Sequence, residues 1–73
     1  MVTGTGTTTS TGALSLSGTF GLNSTKVVIL SASLTGRVGF VFHRGGDYIH
    51  CYDVSFAAIA NTSVTVEVAY VNR

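Results

Sequence analysis

The chain has 73 residues, of which 10% are charged and 45% are apolar, and its formal net charge is +1. The few scattered basic residues argue against an electrostatic nucleic-acid binder, and no apolar run approaches the roughly 20 residues that a membrane-spanning helix needs. A single cysteine excludes an intrachain disulfide. So small and weakly charged a chain is expected to gain stability by associating with other chains.

The amino-terminal segment is unusual in composition. Residues 2–12 contain only Gly, Thr and Ser after Val2, and such a tract buries too little apolar surface to offset the entropy lost on ordering. Residues 1–12 are therefore predicted to be a flexible linker that follows an upstream domain, with residues 13–73 forming the folded module. The alternative is an extended edge strand inside an oligomer, because threonine favours β-structure.

Alternation of apolar and polar residues predicts β-strands through the rest of the chain. A first strand covers residues 13–20, and others cover residues 26–33, 54–59 and 63–71, with turns between them and no convincing helix. Five to six short strands predict an all-β fold, a small antiparallel β-sandwich or barrel. The predicted core consists of Leu14, Leu16, Phe20, Ile29, Phe40, Phe42, Ile49, Val64, Val66 and Val68.

A β-hairpin is predicted around Gly45-Gly46, because two glycines suit a two-residue type I′ turn. In that register Arg44 faces Asp47. One face then carries the apolar residues Val38, Phe40, Phe42, Ile49 and Cys51, and the other carries Val41, His43, Tyr48, His50 and Tyr52. Since neither face is plainly polar, the hairpin is expected to be covered on both sides.

The sequence favours a non-enzymatic protein. Asp47, Asp53 and Glu67 are the only carboxylic residues, and the first two would lie about 20 Å apart on one strand, too far for a glycosidase pair. No phosphate-binding loop, zinc-protease motif or serine-hydrolase motif occurs. No catalytic residue and no cofactor is therefore predicted.

Aromatic and charged residues of the hairpin are the candidate binding residues. Tyr48, His50 and Tyr52 are expected to pack against a neighbouring chain; the alternative is that they stack on a sugar ring. Arg44 and Asp47 are expected to form an exposed ion pair at the hairpin tip.

Two further hairpin side chains have open alternatives. His43 could join His50 in binding a metal on a trimer axis, but hydrogen-bonded packing is favoured because one chain lacks a full ligand set, so no metal site is predicted. Cys51 is expected to act as a small buried hydrophobic residue.

The Thr/Gly/Ser-rich lead, the short strands from Leu14 onward and the terminal Val64-Thr-Val-Glu-Val-Ala-Tyr-Val71 resemble the distal carboxyl-terminal domain of a bacteriophage tail fibre or tailspike. The resemblance implies a homotrimeric β-module of the virion, synthesised in the host cytoplasm, that mediates trimerisation, with attachment to a host receptor as a second expected role. Its partners would be its own copies, an upstream fibre or spike domain and a host surface glycan, with no nucleic acid and no membrane insertion. The resemblance transfers no site residue. The alternative function is a carbohydrate-binding module that recognises a cell-surface glycan through its aromatic face.

Overall fold

The computed structural model describes residues 1–73 as two three-stranded antiparallel sheets and one short helix. In chain order, the elements are β1 (Val2–Thr7), β2 (Ala13–Ser15), α1 (Leu16–Phe20), β3 (Val27–Thr35), β4 (Phe40–His43), β5 (Tyr48–Tyr52) and β6 (Ser63–Asn72). The strand order is β1-β6-β3 in the first sheet and β2-β5-β4 in the second. The predicted all-β class is confirmed.

One hydrophobic cluster joins the inner faces of both sheets and the helix. It consists of Leu14, Leu16, Phe20, Leu22, Val27, Ile49, Cys51, Ile59, Val64, Val66 and Val68. The predicted core is confirmed at seven of these positions, because alternating residues of β6 and β5 face inward, and Cys51 is buried as expected. Ile29, also predicted for the core, is only partly buried and packs against the cluster.

The amino-terminal residues form a strand, so the linker interpretation is wrong for Val2–Thr7. Strand β1 pairs with β6, with Val2 opposite Val68 and Thr7 opposite Ser63. Gly4 lies where a Cβ atom would come within 2.7 Å of Phe20 Cδ1, so a larger residue has no room there. The alternation of threonine and glycine is thus a period-two strand pattern in which glycine occupies the crowded side.

Residues Leu16–Phe20 form a helical turn where the alternation predicted the end of a strand. The Ser15 hydroxyl accepts a hydrogen bond from Gly18 N at 3.1 Å and caps the start of the helix. Gly21, in the left-handed region at φ 69°, ends it. Leu16 and Phe20 both point inward, because positions four residues apart share one face of a helix just as even-spaced positions share one face of a strand.

The hairpin between β4 and β5 has a different register from the predicted one. Phe40 pairs with Tyr52 and Phe42 with His50, and the last paired residues of the hairpin are His43 and Ile49. Residues 44–48 therefore lie between the paired parts of the two strands, in place of a two-residue turn. A shift of one residue moves every side chain of a strand to the opposite face. Phe40 and Phe42 are therefore exposed, 40% and 44% respectively, and the prediction that they belong to the core is wrong.

The strand predicted over residues 54–59 is reduced to one isolated bridge between Tyr52 and Ala58. The Asp53 carboxylate causes the difference, because its Oδ1 accepts hydrogen bonds from Ser55 N at 2.9 Å and Ala57 N at 3.1 Å. These local bonds compete with a sheet ladder and fold the segment into a turn. The turn places Phe56 on the surface.

Candidate functional site

The outward-facing side of the sheet β2-β5-β4 carries most of the residues with binding potential; we call it the outer face. Ile49 and Cys51 of the central strand β5 are fully buried, so the alternate residues of that strand point the other way. Cross-strand pairing extends the face to both neighbours of β5. Its members are Ala13, Ser15, Phe40, Phe42, Tyr48, His50 and Tyr52.

Four rings form one connected group on this side, which we call the aromatic cluster: Phe40, Phe42, Tyr52 and Phe56. Phe40 stacks on Phe56 with a centroid distance of 4.8 Å and an interplanar angle of 4°. Phe42 lies 6.4 Å from Phe40 and 5.8 Å from Tyr52, measured between ring centroids. Large exposed aromatic groups of this kind are typical of interaction surfaces.

Phe56 has a strained backbone conformation. Its φ angle is 64°, in the left-handed region that a bulky residue rarely adopts. The turn imposes this angle. Phe56 N donates to Asp53 O at 3.0 Å, while Asp53 Oδ1 accepts hydrogen bonds from Ser55 Oγ and Ala57 N on either side of Phe56. The strained residue exposes 62% of its surface. Backbone strain of this kind clusters at functional sites.

The hairpin tip has no Arg44–Asp47 ion pair, so that expectation is wrong. Asp47 Oδ2 accepts hydrogen bonds from the hydroxyls of Ser15 at 2.6 Å and Ser17 at 2.9 Å, and Oδ1 accepts one from Ser17 N. These hydrogen bonds, that of Ser15 foremost, hold the pKa of Asp47 below its ordinary value. Arg44 instead donates to the Tyr52 hydroxyl at 3.3 Å and borders the aromatic cluster.

The two histidines do not share a face, contrary to the predicted hairpin. His43 pairs with the inward-facing Ile49 at the end of β4, and its Nε2 lies 3.0 Å from Gly46 O. His50 belongs to the outer face, one strand away. No group of three His, Cys, Asp or Glu side chains comes together in the chain, and no helix is long and apolar enough to cross a membrane.

A cavity of about 270 Å³ opens on the outer face at its β2 side; we call it the threonine pocket. Its lining consists of Thr9, Thr11, Ala13, Tyr48 and His50. Tyr48 and His50 were predicted as binding residues, and the structure brings them together here, whereas Tyr52 belongs to the aromatic cluster. Thr9 and Thr11 were missed because their segment was assigned to a linker. The neighbouring Ser10 and Gly12 were the available signal, because serine and glycine favour turns such as the one that Gly12 N closes on Thr9 O.

Comparison with protein-family models, with curated proteins and with solved structures gives no match. The aromatic cluster on the outer face offers exposed rings, and the threonine pocket offers hydroxyls and one imidazole. Both sets of groups are suited to binding a partner or a ligand.

Proposed function

We propose that this chain is a non-enzymatic module of a phage tail fibre or tailspike, and that three copies associate through the aromatic cluster. The carrying observation is the group of stacked phenylalanines on the outer face, one of which is held exposed by a strained turn. The resemblance of the strand-rich sequence to fibre domains supports the phage context. Host attachment is the further role that this context adds.

The size of the aromatic cluster supports an interface. Phe40, Phe42 and Phe56 are 40%, 44% and 62% exposed, which amounts to about 300 Å² of ring surface per chain at roughly 200 Å² per residue. Burying it would contribute about 7 kcal/mol per chain at ~25 cal/mol/Å², comparable to the lower range of association costs. The exposed Val38 and Val54 lie close in sequence to these rings and add apolar surface.

The shape of the chain favours association of complete folds over interwoven strands. Its accessible surface is 4107 Å², close to the about 4,200 Å² that the scaling relation gives for a globular chain of this mass. Its radius of gyration of 11.0 Å likewise matches the about 11 Å expected for this length. Each chain is thus already compact, and an interface would join surface to surface.

Light scattering over a wide range of concentrations tests the proposal. The wild-type chain should reach the mass of three chains, and Phe56→Gly should shift the association to much higher concentration. Glycine removes the ring and also relieves the positive φ angle, so the fold should be kept. Asn61→Gly is the matched control, because Asn61 also has a positive φ, 51°, but contributes no ring.

A wild-type chain that stays monomeric at all concentrations would overturn the proposed interface. So would a Phe56→Gly variant that associates as well as wild type. Host attachment is tested by adding the fluorescently labelled module to a panel of intact bacteria, with the unfolded module as control. If the module binds none of these bacteria, the proposed role in host attachment loses its support. Association of the three chains is tested separately, by the mass measurement.

A further inference from the structure

The threonine pocket is separate from the aromatic cluster, and the two share no residue. Ala13 and His50 are cross-strand partners on β2 and β5, and Tyr48 lies two residues before His50. Thr9 and Thr11 come from the segment between β1 and β2 and close one side. A rigid sheet thus supplies the floor and a hydrogen-bonded turn supplies the wall.

The hydrogen bonds of Thr9 and Thr11 show which polar groups of the wall are free to bind a ligand. Thr9 Oγ1 accepts hydrogen bonds from Thr11 N at 3.3 Å and Ala13 N at 3.2 Å. A hydroxyl oxygen accepts two bonds, so the Thr9 proton is left to be donated to Thr11 Oγ1, 3.1 Å away. Thr11 therefore keeps its own O–H as a donor and one lone pair as an acceptor.

The imidazole of His50 adds a second polar group with unused capacity. Its Nδ1 is buried and has no hydrogen-bond partner, which is uncommon in folded proteins. We assign the ring proton to Nε2, which leaves the partnerless Nδ1 as an acceptor. The ring then offers an Nε2–H donor.

The lining lacks formal charge and combines these groups with one aromatic ring. Tyr48 exposes 48% of its surface, and its ring can stack on an apolar face while its hydroxyl donates or accepts. The uncharged lining favours a neutral ligand that donates and accepts through several groups, and the ligand must be small, because 270 Å³ is just below the usual range of small-molecule pockets, about 300–1,000 Å³. We propose that the threonine pocket binds one uncharged hydroxylated ring, a neutral pyranose unit.

Nuclear magnetic resonance titration of the isotope-labelled chain tests this proposal directly. The probes are methyl glycosides of the common neutral hexoses, with glucuronic acid and glucosamine as charged comparisons. We expect amide shifts confined to the pocket residues, with a Kd of about a few millimolar, the value that typical ligand efficiency gives for a ligand this small. Charged sugars should bind more weakly.

Variants of the lining locate the ligand. Thr11→Val removes one free hydroxyl at nearly constant shape and should weaken binding about fivefold, the value of one hydrogen bond. Tyr48→Ala removes the stacking surface of a half-exposed residue and should abolish measurable shifts. Thr7→Val is the matched control, because Thr7 is exposed at the end of β1 and lies outside the pocket.

Phe56→Gly separates this site from the proposed association. It should bind the glycosides as wild type does, even where it no longer associates, and loss of binding in this variant would contradict the assignment to the pocket. Shifts absent at high glycoside concentration would overturn the proposal, as would equal binding by Thr11→Val. A neutral oligosaccharide that binds more tightly than its methyl glycoside would identify the ligand as one unit of a polymer; equal affinity would identify a free sugar.

Discussion

Substituting Gly4 by alanine tests whether the amino-terminal residues belong to the fold. The added Cβ would lie 2.7 Å and 2.8 Å from two carbons of the Phe20 ring and 2.8 Å from the main-chain oxygen of Thr19. Carbon atoms in contact normally lie about 3.5–4.0 Å apart, and a main-chain oxygen cannot move aside as a flexible side chain can. The strand β1 must therefore shift away from α1.

The expected cost follows from two opposing effects. Overpacking of this kind destabilises by about 1–3 kcal/mol, while replacing glycine by alanine restricts the unfolded chain and returns about 0.4–1 kcal/mol. The net loss of about 1–2 kcal/mol corresponds to a fall in Tm of roughly 5–15 °C for a domain of this size. Thermal unfolding followed by circular dichroism at one fixed chain concentration measures it.

Gly18→Ala is the matched control. A Cβ at Gly18 would meet Ser15 Oγ at 3.4 Å, an ordinary contact, and alanine is favoured over glycine in a helix by about 1 kcal/mol. Its Tm should equal or exceed that of wild type. If Gly4→Ala unfolds at the wild-type temperature, β1 does not pack on α1 and the flexible-linker interpretation returns.

Three further predictions concern the hairpin and the core. In the monomeric chain, Ile49→Ala should cost about 2–5 kcal/mol and Phe42→Ala clearly less, since Phe42 is 44% exposed; equal losses in urea unfolding at concentrations too low for association would favour the two-residue turn. The pKa of Asp47 is lowered by its hydrogen bonds, chiefly from Ser15, so the stability they contribute is present above the unfolded pKa, near 4, and is lost as pH falls through the folded pKa. Asp47→Asn should therefore show a smaller fall in Tm between neutral pH and pH ~2.5, and an unchanged fall would contradict these bonds. Burial raises the pKa of the Cys51 thiol, so iodoacetamide should alkylate it slowly in the folded chain and rapidly in urea, and fast alkylation of the folded chain would refute its burial.

The parts of the fold that were predictable are those in which local pattern and burial agree. Val64, Val66 and Val68 alternate with polar residues on one long strand, so period two alone identifies them. Leu16 and Phe20 are buried even though their predicted strand is partly a helix, because the helical period and the strand period both place these two residues on the same side. A wrong secondary structure thus still led to a right core.

The hairpin could not be placed from local sequence, for a physical reason. Apolar and aromatic residues occur on both faces of β4 and β5, so hydrophobic alternation does not say which face is buried. The length of the loop sets which residues of the two strands pair. Asp47 in that loop contacts the serines at positions 15 and 17, about thirty residues away in sequence. The linker was wrongly preferred over an edge strand at the amino terminus for a similar reason, since Thr8 hydrogen-bonds to Ile59 and Thr62 more than fifty residues away in sequence.

The same contacts connect the hairpin register to the proposed function. Because Asp47 is bonded to Ser15 and Ser17 at the start of α1, it remains in the loop and does not pair with Arg44. Arg44 is then available to the Tyr52 hydroxyl, and the one-residue shift turns Phe40 and Phe42 toward solvent. Burying those rings would have enlarged a small core, so their exposure gives up hydrophobic stabilisation that a chain of this size needs. Burial of the same rings against another copy of the chain would restore this hydrophobic stabilisation, and the light-scattering experiment measures that association.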